Sequence, residues 1–189
     1  MQIWQIAVLI VGLFILAGLA WFFLDSYRRR RLQSRFGPEY QRTVSEIGDR
    51  RRAETELSRR EQRLRRLDIR PLTAADRTRF ETQWDAIQSH FVDDPAGTAT
   101  EADRLILEMM RARGYPTDDA NERIENMSAA YPHIAGRYRD ACGILDRYRA
   151  GMSSTEDLRL AMVHYKDLFF ELTGGRHEEL EREEFKRAS

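Results

Sequence analysis

The stretch Ser154–Leu172, STEDLRLAMVHYKDLFFEL, has the pattern of an amphipathic helix, and this pattern decides the fold class. It begins with a serine followed by acidic residues, which is typical of a helix start because the serine side chain accepts from backbone N–H groups of the first turn. Gly174 follows, and glycine favours a helix end. Apolar residues recur at helical spacing between these two signals, so we expect one face to be buried, namely Leu158, Met162, Tyr165, Phe169 and Leu172.

Four segments upstream repeat this pattern, and the sequence contains no strand or hairpin signal. Predicted helix starts are Thr73, Asp94 before Pro95, and Thr117 or Asp118. The sequence therefore predicts an all-α protein in which residues 71–175 form a compact bundle of about four to five helices. The inward-facing residues expected in these segments are Phe80, Trp84, Ile87, Phe91, Ala99, Ala102, Leu105, Ile106, Met109, Met110, Ile124, Met127, Ile134, Tyr138, Ala141, Leu145 and Tyr148.

The N-terminal segment has the composition of a membrane anchor. Ile3 to Leu24 is apolar apart from Gln5, a run of 22 residues, and about 20 residues of helix cross the hydrocarbon core of a bilayer. A cleaved signal peptide is disfavoured because no basic residue precedes the run and the run is too long. We therefore expect residues 1–27 to be one transmembrane helix, with the lipid bilayer as a partner.

Four arginines, Arg28 to Arg31, follow this helix directly and predict its orientation. Positive charge resists translocation, so the sequence predicts an inner (plasma) membrane protein with its N-terminus outside and its body in the cytoplasm. The same arginines are candidates for contact with the membrane surface, because anionic lipid headgroups attract juxtamembrane cations. The simpler interpretation, which we favour, is that they only fix the topology.

The net charge of zero hides an uneven distribution of charge. Residues 28–70 contain 15 Arg against 7 Asp and Glu, and residues 71–189 contain 16 Lys and Arg against 23 Asp and Glu. The distal part is therefore acidic, which argues against a nucleic-acid partner. Only Lys166 and Lys186 among the 31 basic residues are lysine, so arginine richness by itself does not indicate phosphate recognition.

Residues 28–70 are predicted to form a basic juxtamembrane linker followed by a long charged helix. We expect a short linker over Leu32–Gly37 and a solvated helix over Glu39–Leu67, ended before Pro71. Arg51 and Glu54 interrupt the apolar seam that a coiled coil requires. Predicted i,i+4 ion pairs are Glu46–Arg50, Glu56–Arg60 and Glu61–Arg65. Residues 176–189 are mostly charged and are predicted to be a mobile tail.

Residues with chemical potential are few, and each has a structural interpretation that we favour. His164, Asp167 and Glu171 share one helical face and could ligate a metal, but we favour a polar outer face that points towards solvent. Asp93 and Asp94 could be paired carboxylates, although helix capping before Pro95 is the stronger explanation. Cys142, the single cysteine, is expected to be a buried core residue. We predict no catalytic residue, metal or cofactor.

Several stretches of the chain resemble a bacterial family of uncharacterised single-pass membrane proteins. The resemblance covers roughly residues 35–172. It implies one N-terminal membrane span and a helical cytoplasmic body, and it implies no activity, cofactor or catalytic residue. The stretches that carry it are Arg35–Val44 (RFGPEYQRTV), Asp68–Leu72 (DIRPL), Phe91–Pro95 (FVDDP), Arg113–Pro116 (RGYP) and Ser154–Phe169 (STEDLRLAMVHYKDLF).

Three functional hypotheses follow from the sequence. The first is a non-enzymatic, membrane-tethered interaction module that binds an unidentified protein partner. The second is a membrane-bound small-molecule sensor or enzyme, with a pocket built from Trp84, Tyr138, Tyr165 and His164. The third is lipid binding by Arg28 to Arg31 as the function itself.

Overall fold

The computed structural model describes residues 3–174, although many side chains before Leu32 lie outside the description. All regular structure in this range is helical, which confirms the all-α prediction. The chain divides into two compact units, Met1–Ser58 and Arg59–Ser189. The helices are α1 (Ile3–Phe36), α2 (Pro38–Ile47), α3 (Arg50–Leu64), α4 (Ala74–Ser89), α5 (Pro95–Ala112), α6 (Ala120–Ala130), α7 (Ala135–Arg149) and α8 (Thr155–Thr173).

Helix α8 lies at the centre of the second unit. It packs against both α5 and α7, while α4 packs against α5 and α6 against α7. All five apolar positions expected on its inner face are buried. The predicted start is confirmed, because the Asp157 amide donates to Ser154 Oγ (3.2 Å) and the Ser154 amide donates back to the Asp157 carboxylate (2.7 Å).

The capping residues predicted from the sequence are confirmed for α4 and α5 and wrong for α6. The Thr73 hydroxyl accepts from the Asp76 amide (3.1 Å), and the Asp94 carboxylate accepts from the Gly97 amide (2.9 Å), as predicted. The prediction for α6 is wrong by one or two residues, because Asp119 is its N-cap. Thr117 is instead buried, and its hydroxyl accepts a hydrogen bond from Arg111 Nε (2.6 Å).

In the first unit, two sequence predictions are wrong. The expected linker over Leu32–Gly37 belongs mostly to α1, which continues to Phe36. The expected single helix over Glu39–Leu67 is interrupted at Gly48, whose left-handed backbone (φ 72°) ends α2. Helix α3 then starts afresh, because the Asp49 carboxylate accepts from the Arg52 amide (2.8 Å).

The charged helices also bury more than the sequence predicts. Glu54, on the predicted solvated helix, is buried and accepts a hydrogen bond of 2.7 Å from the Tyr40 hydroxyl. A carboxylate can be buried when a donor satisfies it, and charge patterning alone does not reveal the donor. Of the expected i,i+4 pairs, Glu61–Arg65 forms at 2.8 Å, whereas Glu46 pairs with Arg42 on its own side of the break at Gly48.

The predicted membrane anchor over residues 1–27 is not confirmed. No helix within the described residues is both long and apolar enough to cross a membrane. The predicted mobile tail over residues 176–189 lies outside the residues that the structure describes.

Gly114, which follows α5, is held in a backbone conformation that other residues rarely adopt. Its φ is +93°, and a Cβ atom there would lie 2.4 Å from the carbonyl oxygen of Asp68. The same contact is fixed by a hydrogen bond of 3.0 Å from the Arg70 amide to the Arg113 carbonyl. The segment before α4 is therefore tied to the end of α5 by a backbone hydrogen bond and a close backbone approach.

We predict that Gly114→Ala lowers the free energy of unfolding by about 2 kcal/mol or more, since it adds both strain and a backbone clash. Gly143→Ala is the matched control, because Gly143 lies inside α7 and its added Cβ would meet only Arg147 Nη1, at 3.4 Å. That variant should gain about 0.5–1 kcal/mol from helix propensity. Urea unfolding followed by circular dichroism measures both, and equal stability of the two variants would contradict the prediction.

Candidate functional site

A groove runs between α4 and α8 of the second unit. Three cavities of about 210, 410 and 240 Å³ follow one another there, and neighbouring cavities share lining residues. The lining runs along α8 from Arg159 to Gly174, which is about 22 Å at 1.5 Å per residue. The residues of this α4–α8 groove are Pro71, Leu72, Arg77, Glu81, Trp84, Asp85, Gln88, Phe91, Arg113, Tyr131, Arg159, Met162, Val163, Lys166, Phe169, Phe170, Glu171, Leu172, Thr173 and Gly174.

The floor of the groove is aromatic. Trp84 of α4 and Phe169 of α8 stack with ring centroids 4.9 Å apart and planes 16° from parallel. Phe170 meets Phe169 edge to face at 5.9 Å. The Trp84 indole N–H is buried and has no hydrogen-bond acceptor within the described part of the chain. The stacked pair therefore gives the groove a packed aromatic floor.

Charged side chains border both sides of the groove. On the α8 side of the first two cavities lie Arg159 and Lys166, and on the α4 side lie Glu81, Asp85 and Arg77. Arg159 already pairs with Glu156 at 2.6 Å, whereas no carboxylate of residues 3–174 pairs with Lys166. The Lys166 ammonium group instead lies 5.8 Å from the centre of the Phe170 ring. Within residues 3–174, the ammonium group therefore lies at the groove without a carboxylate partner.

One end of the groove carries two guanidinium groups. Arg113 donates to the Leu172 carbonyl (3.0 Å) and lies 5.6 Å from the centre of the Tyr131 ring, and Arg77 lines the same cavity. Glu171 lines it too, and its carboxylate is 3.2 Å from His133 Nε2. Charges of both signs are therefore present at this end.

The expected pocket of Trp84, Tyr138, Tyr165 and His164 does not assemble at the groove. Trp84 lines it, but Tyr138 and Tyr165 are fully enclosed in the core. Their hydroxyl groups are used there, since Tyr165 donates to Asp103 (3.1 Å) and Tyr138 accepts from Arg123 Nε (3.3 Å). The size and spacing of these tyrosines in the sequence do not reveal whether a tyrosine lines a pocket or makes a polar contact inside the core.

Two members of the trio that could have ligated a metal have partners on other residues. Asp167 forms an ion pair with Arg137, and Glu171 approaches His133. His164 is half-buried, and burial lowers its pKa. Within the described range, no group of three His, Cys, Asp or Glu side chains is arranged to hold a metal ion. The expectation that the trio faces solvent is also imprecise, because Asp167 and Glu171 face partners on or next to α7.

The remaining candidates take separate positions. Asp94 caps α5, while Asp93 is exposed beside it. Arg30 and Arg31 are exposed, and Arg29 is half-buried and hydrogen-bonds with the Tyr40 side chain. The side chain of Arg28 lies outside the described residues. Nothing here tests their contact with a membrane surface, which stays a prediction.

Comparisons of the chain with protein-family models, with curated proteins and with solved structures found no match. The resemblance to the bacterial single-pass family therefore stays a prediction.

Cys142, expected to be a buried core residue, is half-buried against the core and adjoins the polar cluster of Asp103, Tyr138 and Tyr165. Burial raises the pKa of its thiol to about 12, and the negative charge of Asp103 acts in the same direction. The thiolate is the reactive form of cysteine, so a thiol in this environment is chemically quiet.

We predict that Cys142 in the folded protein reacts with iodoacetamide at pH 8 about a thousandfold more slowly than a free thiol of ordinary pKa. Mass spectrometry of timed samples measures the rate, and the same chain in urea is the control, where reaction should be fast. Equal rates in the folded and unfolded protein would show that the thiol is not shielded.

Proposed function

We propose that this chain is a membrane-tethered interaction module whose second unit binds a protein partner through the α4–α8 groove. In this proposal the N-terminus lies outside the inner membrane and the body lies in the cytoplasm. The observation that carries the proposal is the groove itself, which combines a stacked aromatic floor with apolar and charged residues at its borders. Aromatic anchors enclosed by a polar rim are the usual composition of protein-binding sites.

The membrane part of the proposal rests on sequence and on exposure. Ile3–Leu24 contains 22 residues with a single polar side chain, Gln5, and lies within one continuous helix, α1. Large apolar side chains on this helix are exposed, although exposed apolar surface is normally small in soluble monomers. A lipid environment would cover them. Those described are Leu13, Leu16, Leu19, Phe22 and Phe23.

We predict that the full-length protein stays with membranes after a carbonate wash at high pH, and that deletion of residues 1–27 releases it to the soluble fraction. The physical reason is that about 20 apolar residues bind the hydrocarbon core far more strongly than surface charges bind headgroups. Release of the full-length protein by the wash would contradict the anchor. Salt-sensitive retention of residues 28–189 would indicate that Arg28 to Arg31 hold the surface instead.

Contact with a partner can be tested at the edge of the groove. A photo-reactive amino acid at Val163, which is 43 % exposed and lines the groove, should crosslink one specific protein in intact cells. Tyr148 is the matched control, because it is 40 % exposed and lines none of the three cavities. We expect crosslinking from position 163 alone, repeated with the purified partner.

The proposal would be contradicted by crosslinks of the same proteins from both positions, or by none from either. The control matters because any apolar residue near a membrane meets abundant proteins by chance. At a specific interface, the partner crosslinks from one of two equally exposed positions and not from the other.

A small-molecule sensor is the second candidate function, and one observation favours it. The middle cavity of the groove, about 410 Å³, has the size of ligand pockets, which are roughly 300–1,000 Å³. Its lining mixes aromatic rings with Arg77, Lys166 and Thr173. A metabolite that raises the melting temperature of the full-length protein, and loses this effect in Lys166→Glu, would favour the sensor over the module.

A further inference from the structure

The residues that line the α4–α8 groove indicate the chemistry of the partner that would bind there. This inference rests on the function proposed above. The groove follows α8 for about four turns. Side chains of α4 and α8 supply most of the lining of its first two cavities, whereas loop residues such as Pro71 and Arg113 also line the third. Two helices that share α5 and leave a groove between them offer the position of an additional bundle helix along these first two cavities.

The first cavity of the groove fits one bulky apolar side chain. Its volume is about 210 Å³, and a cavity of about 150 Å³ is enough to hold benzene. Trp84, Phe91, Met162 and Val163 provide apolar lining. Apolar surface continues outside it, since Leu160 is as exposed as Val163, at 43 %. A residue inserted here would be buried at the centre of a larger apolar contact.

The charges at this cavity select an acidic partner. Lys166 and Arg159 line it, and its lining contains no carboxylate. Lys166 contributes most, because Arg159 already shares its charge with Glu156. A carboxylate at the α8 side would pair with the ammonium group.

We propose that the α4–α8 groove binds an acidic amphipathic helix of a partner protein, which inserts a bulky apolar side chain between Trp84 and Val163 and places a carboxylate against Lys166. Glu81 and Asp85 lie on the opposite side, next to Arg77, so the partner helix presents a carboxylate towards Lys166 and neutral or basic residues towards Glu81 and Asp85. Reversed charge on the partner would bring like charges together at Lys166.

The test is a selection of random 16-residue peptides, displayed on phage, against the full-length protein in nanodiscs. We expect enriched peptides with helical spacing of aromatic or leucine residues and with Asp or Glu beside them. Val163→Glu and Lys166→Glu should each weaken their binding about tenfold or more. Selection against Lys166→Glu should instead enrich basic peptides.

A matched pair of variants controls for charge alone. Arg159 and Arg149 are both 57 % exposed, and each pairs with an acidic residue three positions earlier, Glu156 and Asp146. Only Arg159 lines the groove. Arg159→Glu should weaken peptide binding several-fold, and Arg149→Glu should leave it within about twofold.

Three outcomes would overturn the proposal: enrichment of basic peptides by the unmodified protein, no enrichment at all, or binding that Val163→Glu does not change. A photo-crosslink from position 163 to residues 175–189 of the same chain would assign the groove to the chain's own C-terminal segment, and would also overturn it. If cells yield a partner at position 163 but the selected peptides are basic, the acidic helix fails and the interaction module stands.

Discussion

Helix α8 packs against α5 and α7 at the same time, and the second unit depends on this constraint. One helix can serve two neighbours only if apolar side chains cover more than a narrow stripe, and α8 buries Leu158, Met162, Tyr165, Leu168, Phe169 and Leu172. The Tyr165–Asp103 hydrogen bond fixes the register of α8 against α5 inside that contact. Because α8 is occupied on two sides, its remaining side is free to border a groove.

Helix periodicity predicted most of the second unit, because its starts and ends are encoded locally. Ser154, Thr73 and Asp94 each cap a helix through a hydrogen bond that spans three residues, so the sequence alone contains both partners. The first unit was predicted less well for the opposite reason. Gly48 ends α2 by adopting a left-handed conformation, and a lone glycine within a helical pattern is equally compatible with an unbroken helix.

The candidate site could be predicted only in part, since it depends on residues that are distant in the chain. Trp84 and Lys166 were visible as an aromatic position and a rare lysine, but nothing in the sequence placed them on one groove. Tyr138 and Tyr165 were predicted to face inward, and only the second hypothesis placed them in a pocket. The structure buries both and places their hydroxyl groups against Arg123 and Asp103. Local patterns reveal which face of a helix is apolar, whereas the pairing of polar atoms across helices is decided by the fold.

The stacking of Trp84 on Phe169 has a spectroscopic consequence. The chain contains three tryptophans, and Trp4 and Trp21 both precede residue 28, so Trp84 is the sole indole of residues 59–189. The tryptophan fluorescence of that part of the chain therefore originates in the floor of the groove. Emission from an indole shielded from water should respond to anything that enters the groove or separates α4 from α8, without an attached dye.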